Sequence, residues 1–219
     1  MTYQAFENIR HDILICRLKP DARLPLDELR ERYRVGATPL REALMRLTSD
    51  GLVVFEQNRG FRVAAVSRDD LVDAVEIQIE LNMIALRKSI DLGDDEWEGN
   101  LISSFHRLSK QSKLSPDAEV TEMDSRWSQR HREFHDTLVS ACGSKWLINF
   151  YEIITDQTNR YLRLSVEYLE QPRDDNSEHR EIMEAALERD PDKACRALSE
   201  HLLRTRDKLL QIEPTIFGD

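Results

Sequence analysis

The chain has 219 residues, of which 40% are hydrophobic and 33% charged, a balance typical of a folded globular protein and not of a disordered one. No apolar run approaches the roughly 20 residues of a membrane-spanning helix, and the N-terminus has no signal-peptide pattern, so we expect a cytoplasmic protein. The three cysteines, Cys16, Cys142 and Cys195, form no CxxC pair, which suits a reducing compartment and argues against a disulfide scaffold.

The net charge of −10 is unevenly distributed along the chain. Residues 1–66 carry 11 Lys and Arg against 9 Asp and Glu, a net charge of +2, whereas the remaining residues carry a net charge of −12. We call residues 1–66 the head and the remaining residues the body. Because attraction to phosphate is screened within about 10 Å, a mildly basic head on an acidic body is compatible with DNA binding by the head alone.

The first elements of the head are two short helices. Apolar residues recur at helical spacing over residues 3–17, and Pro20 ends that helix. Pro25 opens a second helix, in which Leu26, Leu29 and Tyr33 share one face.

A third helix follows a turn at Val35 and Gly36. Thr38 is placed to act as its N-cap, with Pro39 at the first helical position and Gly51 as the stop. Its predicted buried stripe consists of Leu40, Ala43, Leu44 and Leu47. Two apolar stretches, 52–55 and 61–66, flank a polar tip that contains glycine, which predicts a β-hairpin.

Three helices followed by a hairpin predict a winged helix-turn-helix domain over residues 1–67. A helix of this kind can enter the major groove, with residues near its N-terminus facing the base edges. Arg41 is the best candidate for a bidentate base contact, Arg34 and Thr38 for phosphate contacts, and Arg59 with Gly60 for contacts by the wing tip. The predicted DNA-binding residues are Arg34, Thr38, Pro39, Arg41, Arg46, Arg59 and Gly60. The alternative is a winged helix that serves as a protein-interaction module.

Three motifs in the head resemble those of the GntR superfamily of transcriptional regulators. They are Thr38–Leu44 (TPLREAL), Asp50–Val53 (DGLV) and Asn58–Val63 (NRGFRV), and the resemblance covers residues 20–63. It implies sequence-specific binding to operator DNA. Gly36-Ala37 stands where the family often has Ser-Arg, so one DNA-contacting arginine of the family is missing, and the operator sequence stays open.

The acidic body is predicted to be all-helical and to form a separate domain over residues 68–219. Ser67 is placed to cap a helix that runs to Gly93, along which Leu71, Val75, Ile79 and Met83 form a stripe. Further amphipathic segments span residues 95–113, 117–141, 145–170, 175–189 and 191–211. The fold class is therefore mainly α: a winged helix-turn-helix followed by an antiparallel six-helix bundle.

Four histidines of the body are candidate metal ligands. His131 and His135 are four residues apart on one predicted helix and therefore share a face, while His179 and His201 lie on the last two helices. If these helices pack together, four imidazoles converge on one cation; zinc suits that ligand set, and nickel, cobalt or copper are chemically possible. The alternative is that the pair is a chance feature of a polar face and that His179 and His201 pair with carboxylates.

The body also resembles the FCD ligand-sensing domain of the FadR subfamily, and within it the CsiR-like regulators. The resemblance rests on Gly93–Glu98, Arg130–His135, Cys142–Ser144, Glu178–Ile182 and His201-Leu202. It implies a metal site formed by His131, His135, His179 and His201, in which His131 occupies the position of the family's aspartate. Replacing a carboxylate by imidazole favours Zn²⁺, with Ni²⁺ possible, over manganese or magnesium.

The same resemblance implies a small-molecule effector. The family's carboxylate-gripping arginine falls near Gln78, and Asn82 stands where glutamate is common, so an organic acid is the default and a larger or less charged metabolite fits equally well. The candidate effector-binding residues are Gln78, Asn82, Arg126, Trp127, Arg130, Asn159 and Arg163.

Catalysis is the weakest of the alternatives. His131–His135 superficially matches the HExxH zinc-protease motif, but Glu133 lies two residues after the first histidine, about 200° away around the helix. No GxSxG, P-loop or GxGxxG motif occurs in the sequence. We therefore expect a non-enzymatic, homodimeric repressor of a palindromic double-stranded operator, released by its effector and not bound to a membrane, with residues 71–86 as the dimer surface. The alternative is that the effector turns the protein into an activator of transcription.

Overall fold

The structure is a computed structural model that describes residues 2–113, 125–165, 175–211 and 217. Within these ranges the elements are α1 (Thr2–Leu14), β1 (Arg23–Leu24), α2 (Leu26–Tyr33), α3 (Ala37–Ser49), β2 (Val53–Glu56), β3 (Gly60–Val63), α4 (Arg68–Leu92), α5 (Asp95–Ser109), α6 (Ser125–Val139), α7 (Lys145–Ser165), α8 (Asn176–Leu187) and α9 (Pro191–Leu210). None of the described helices has the length and apolar composition needed to cross a membrane.

The predicted mainly-α fold, with a winged helix-turn-helix followed by six helices, is confirmed in the described part of the chain. The predicted start of the helix over 117–141 and the predicted end of the helix over 145–170 lie outside the described residues.

The described residues form two compact units. The first consists of residues up to Leu71 together with Thr155–Leu164 and Phe217, and the second contains the other described residues between 72 and 211. Helix α7 therefore contributes residues to both units. The expected domain ranges, 1–67 and 68–219, did not anticipate this assignment of residues 155–164 and stay a prediction.

The first unit has its core between α1, α3 and the hairpin. The predicted stripe of α3 is buried, and the core includes Ala5, Phe6, Ile9, Ile13, Leu40, Ala43, Leu44, Leu47, Leu52, Val53, Phe61 and Val63. Helix α3 begins at Ala37 with Gly36 as its N-cap, so the prediction that Thr38 is the N-cap is wrong. Gly36 has extended backbone and no side chain to cap with, and its carbonyl accepts the first helical hydrogen bond, from the Leu40 N–H at 3.2 Å.

The wing is an antiparallel sheet of three strands in the order β1-β3-β2. The hairpin of β2 and β3 is as predicted, but β1 was not foreseen because two residues carry no alternation pattern. At the tip the Arg59 N–H donates to the Glu56 carbonyl at 3.0 Å. Asn58 (φ 65°) and Gly60 (φ 86°) lie in the left-handed region there, which these two residue types tolerate.

A buried carboxylate ties α1 to α2 in the first unit. Asp12, 4% exposed, accepts hydrogen bonds from Arg17 (2.8 Å), Arg32 (2.8 Å) and the Tyr33 hydroxyl (2.7 Å). Burial, together with the nearby Asp12 carboxylate, raises the pKa of Tyr33 above its ordinary value. The phenol therefore keeps its proton and remains a donor.

Polar side chains of α7 bind the winged helix within the same unit. Gln157 donates to the Asp50 carbonyl at 2.9 Å, and Arg160 donates to the Ala64 carbonyl. The Tyr161 hydroxyl donates to Asp70 and accepts from the Ser67 N–H at 3.2 Å. The end of α3, the end of the wing and the start of α4 are thus all held by one stretch of α7.

The second unit has an apolar core formed by α5, α6, α8 and α9. Asp94 caps α5 by accepting from the Trp97 N–H at 3.0 Å, and Asp190 caps α9 by accepting from the Lys193 N–H at 2.9 Å. Its buried residues include Trp97, Leu101, Phe105, Leu108, Phe134, Leu138, Ile182, Ala185, Ala186, Ala194 and Leu198.

Candidate functional site

The four predicted metal ligands lie together in the second unit. Helix α6 presents His131 and His135 from one face, α8 presents His179 and α9 presents His201. One ring nitrogen of each histidine lies within 4.8 Å of the corresponding nitrogen of the other three. The His135 Nε2 lies 3.2 Å from the His131 Nε2 and 3.3 Å from the His179 Nε2.

This donor set fits a zinc-like ion. Tetrahedral coordination with zinc–nitrogen bonds of about 2.05 Å places neighbouring ligand nitrogens about 3.3 Å apart, close to the two shortest distances in the cluster. One neutral imidazole nitrogen carries either a proton or a single lone pair, so the His135 Nε2 cannot make two good hydrogen bonds to its neighbours. A shared cation would satisfy all of these nitrogens at once.

Burial keeps three of the four histidines, His131, His135 and His179, in the neutral form that metal binding requires. Loss of hydration lowers the pKa of His131 and of His135 well below 6.5, and the proximity of the other histidines adds to the effect. The same cause, followed by the neighbouring His201, lowers the pKa of His179 to about 3. Neutral imidazoles have the free lone pair that a metal ligand needs.

Two carboxylates lie behind the ligands. The Oε2 of Glu178 lies 2.8 Å from the Nδ1 of His201, and Arg204 binds the other oxygen of Glu178 at 3.3 Å. The Oδ1 of Asp175 lies 3.9 Å from the Nδ1 of His179, a buried atom that has no hydrogen-bond partner among the described residues. Carboxylates in this outer position orient metal-bound imidazoles.

The sequence prediction did not include these outer residues. Asp175 lies four residues before His179, and Glu178 lies immediately before it, so spacing offered a signal for both. Lys113, which binds Asp175 at 2.9 Å, offered none, because 62 residues separate the two.

The predicted effector residues are not all brought together. Gln78 and Asn82 are buried on α4 in the second unit, where the Asn82 amide donates to the Gln78 carbonyl at 2.8 Å. Trp127 is 3% exposed and stacks on His131, with ring centroids 4.6 Å apart. Asn159 and Arg163 belong to the first unit, whereas the four histidines belong to the second.

Arg126 and Arg130 differ from the buried candidates. Arg126 is exposed at the start of α6. Arg130 binds Glu133 at 2.7 Å in an open groove of about 450 Å³ that also includes Arg132 and Asp136. This groove contains none of the four histidines.

Four of the predicted DNA-binding residues, Thr38, Pro39, Arg41 and Arg46, lie on α3. Thr38 and Arg41 are exposed in the first turns of α3, and no hydrogen bond or ion pair joins Arg41 to another described residue. Pro39 is half-buried between them. Arg46 is exposed as well, but its guanidinium lies over the ring of Phe6, 4.1 Å from the centroid.

The remaining DNA-binding candidates lie in turns. Arg34 is the C-cap of α2 in the left-handed region (φ 53°), and its N–H donates to the Arg30 carbonyl. Arg59 and Gly60 form the wing tip, where the Arg59 side chain is 72% exposed and lies 3.8 Å from Glu56.

Comparison with known proteins assigns the chain to a family. Residues 2–63 match the bacterial regulatory proteins of the gntR family, and residues 73–204 match the FCD domain. The chain belongs to the GntR family and carries an FCD domain. It is therefore a DNA-binding transcriptional regulator and not an enzyme, as the sequence predicted.

Relatives extend along most of the chain. The HTH-type transcriptional regulator BphR of Paraburkholderia xenovorans is 36% identical over 90% of this chain and 80% of its own length. The HTH-type transcriptional repressor GlaR of Escherichia coli is 33% identical over 89% of each. Among solved structures, E. coli McbR/YncC has the same fold, with a TM-score of 0.81 at 22% identity over 96% of this chain and 97% of its own.

Proposed function

We propose that this GntR-family protein is a transcriptional repressor whose FCD domain binds a zinc-like ion and a small metabolite that releases the operator. The convergence of four imidazoles in that domain is the observation that carries the proposal. The assignment as a repressor, and not an activator, is supported by the relative GlaR, which is named a transcriptional repressor.

The DNA-reading step is assigned to the exposed first turns of α3. Arg41 contacts a base edge, while Thr38, Pro39 and Arg34 fix the register on phosphates, and Arg59 with Gly60 contacts the DNA backbone from the wing. Arg46 contributes charge from a position fixed over Phe6. The predicted contacts therefore come from α3, from the turn before it and from the wing tip.

The protein acts as a homodimer on a palindromic double-stranded operator, because two-fold symmetry lets two heads address two half-sites one helical turn apart. Of the surface expected to form the dimer, residues 71–86, α4 exposes Ile77 and Ile84, which are seven residues apart and share a face. An exposed apolar pair of this kind is suited to pairing with its copy.

The metal is assigned to His131, His135, His179 and His201. When bound, it supplies a Lewis acid that can anchor an oxygen of the effector. Nitrogen ligands favour Zn²⁺, with Ni²⁺ next, over Mn²⁺ and Mg²⁺.

The effector is assigned to the second unit, where Gln78 and Asn82 supply buried amides and Trp127 an aromatic wall. A small organic acid is the default class, because its carboxylate can bind the metal. The other candidates are Arg126 and Arg130 in the second unit and Asn159 and Arg163 in the first.

The DNA half of this proposal is tested by selecting duplexes from a random library with zinc-loaded protein and titrating the selected duplex at several salt concentrations. We expect a palindromic site, with the logarithm of affinity falling by about 0.9 per neutralised phosphate as the logarithm of salt rises. Weak DNA binding that depends neither on the DNA sequence nor on the salt concentration would instead support a protein-interaction module.

The metal half is tested by elemental analysis of His135→Ala and His201→Ala beside His106→Ala, which removes an exposed histidine of α5. We expect wild type and the His106 variant to carry one zinc per chain and the other two to lose it. A full metal content in both cluster variants would refute the ligand set.

A further inference from the structure

We propose that Lys113 is a positioning residue that holds two of the four histidines, His131 and His179, and keeps the metal site selective for zinc over manganese. This inference rests on the metal site proposed above. It assigns a role to a residue outside the ligand set.

Lys113 lies beyond the end of α5, and its side chain is only 12% exposed. Its ammonium group makes two contacts with residues that touch the metal ligands. It lies 4.6 Å from the ring centroid of Trp127 and 2.9 Å from the Oδ2 of Asp175. A lysine this deeply buried needs a charged or aromatic partner, and Lys113 has both.

The contact of Lys113 with Trp127 positions His131. Trp127 and His131 lie one helical turn apart on α6, and their rings stack at 19° with centroids 4.6 Å apart. Trp127 is 3% exposed, so it has little room to move. The cation–π contact with Lys113 fixes the indole, and the indole fixes the plane of the imidazole.

The contact of Lys113 with Asp175 positions His179. Asp175 is the N-cap residue of α8, and its carbonyl accepts the His179 N–H at 3.0 Å. Its Oδ1 lies 3.9 Å from the Nδ1 of His179, while Lys113 holds its Oδ2. Lys113 is the cationic partner of this buried carboxylate at 2.9 Å, which leaves Asp175 available as an outer partner of His179.

The network therefore joins a ligand of α6 to a ligand of α8 through one ammonium group. It also explains how a buried carboxylate can lie beside the histidines without joining the donor set. Oxygen ligands favour Mn²⁺ and Mg²⁺, whereas an all-imidazole set favours zinc. By binding the Oδ2 of Asp175, Lys113 keeps that oxygen away from the cation.

The test compares Lys113→Met, which keeps the aliphatic stem but removes the charge, with Lys113→Arg, which keeps both contacts. Zn²⁺ and Mn²⁺ affinities are measured separately by competition with a chelating indicator. Since loss of an outer partner typically costs about 10- to 100-fold in metal affinity, we expect Lys113→Met to lower zinc affinity by about that factor. The ratio of zinc affinity to manganese affinity should fall as well, because the released Oδ2 of Asp175 is an oxygen ligand that favours manganese. Lys113→Arg should restore most of that ratio.

Lys193→Met is the matched control, because it removes an exposed lysine that binds Glu188 at 2.8 Å in the same unit. Its ratio should equal that of wild type. If Lys113 acted only as a repelling charge, Lys113→Met would raise both affinities and leave the ratio unchanged, which would overturn the inference.

Trp127→Phe and Trp127→Ala separately test the contact that runs from Lys113 through Trp127 to His131. The phenyl ring can still stack on His131, so zinc affinity should fall much less in Trp127→Phe than in Trp127→Ala, and equal losses would remove Trp127 from the network. Wild-type protein that binds no zinc would refute the metal site itself. Tight zinc binding by wild type with an unchanged ratio in Lys113→Met would refute only the role of Lys113.

Discussion

Glu178 lies 2.8 Å from the Nδ1 of His201, so the carboxylate holds the proton on that nitrogen and leaves Nε2 with its lone pair facing the other histidines. Loss of this partner should release the imidazole from its orientation. We predict that Glu178→Ala lowers zinc affinity about 10- to 100-fold, measured by chelator competition.

Glu200→Ala provides the control for that prediction. Glu200 binds the same Arg204, at 2.7 Å, but it is exposed and does not touch a histidine. Zinc affinity should be unchanged in this variant, and Glu178→Gln, whose amide oxygen still accepts a hydrogen bond, should lie between Glu178→Ala and wild type. Equal affinities in Glu178→Ala and wild type would contradict the orienting role.

The buried histidines should make the metal-free protein less stable in acid. Burial lowers the pKa of His131, His135 and His179 from 6.5, the last to about 3. Between those values the unfolded chain binds protons that the folded chain does not, so the free energy of unfolding falls as the pH drops below about 6.5. Each such histidine can contribute a slope of up to about 1.4 kcal/mol per pH unit.

Urea unfolding of chelator-treated protein between about pH 7.5 and pH 5 measures this slope. His179→Asn should show a shallower slope than wild type, because one of the non-titrating buried imidazoles is gone. His106→Gln, which alters an exposed histidine, should keep the wild-type slope. A wild-type slope in His179→Asn would contradict the assignment.

The Tyr161 hydroxyl should stabilise the first unit. It accepts from the Ser67 N–H and donates to Asp70, and Tyr161 is 2% exposed. Tyr161→Phe leaves both partners without this bond, so we predict a loss of about 1–3 kcal/mol in the free energy of unfolding. Chemical denaturation measures it, with Tyr3→Phe at an exposed position as a control expected to change little.

Arg41 and Arg46 should differ in what their loss does. Arg41 is exposed in the second turn of α3, so Arg41→Ala should cost about 1–3 kcal/mol in operator binding and blur base preference. Arg46 lies over Phe6, so Arg46→Ala should lower the stability of the head as well as its affinity for all duplexes. Titration of the selected operator and a scrambled duplex separates the two, and an unchanged preference in Arg41→Ala would remove it from the reading surface.

Local patterns in the sequence were sufficient to predict the main elements. The apolar stripe of α3 from Leu40 to Leu47 and the hairpin around Gly60 depend on residues close in sequence, and both are confirmed. The four-residue spacing of His131 and His135 likewise places both rings on one face of α6. Their convergence with His179 and His201 depended on the family resemblance.

Features that depend on tertiary contacts were not predictable in this way. Asp12 resembles any surface carboxylate in the sequence, and its burial is possible only because Arg17, Arg32 and Tyr33 surround it. The start of α3 was misplaced by two residues because Thr38 is a stronger N-cap type than Gly36. Lys113 and Asp175 became neighbours only through packing of α5 against α8.

The bonds that α7 makes to the wing, to the end of α3 and to the start of α4 bear on how this protein can be divided for study. A fragment cut after Leu71 would lose Gln157, Arg160 and Tyr161, and with them the donors that satisfy the Asp50 and Ala64 carbonyls. Excision of the DNA-binding part therefore calls for a graft of residues 155–164, or for the intact chain.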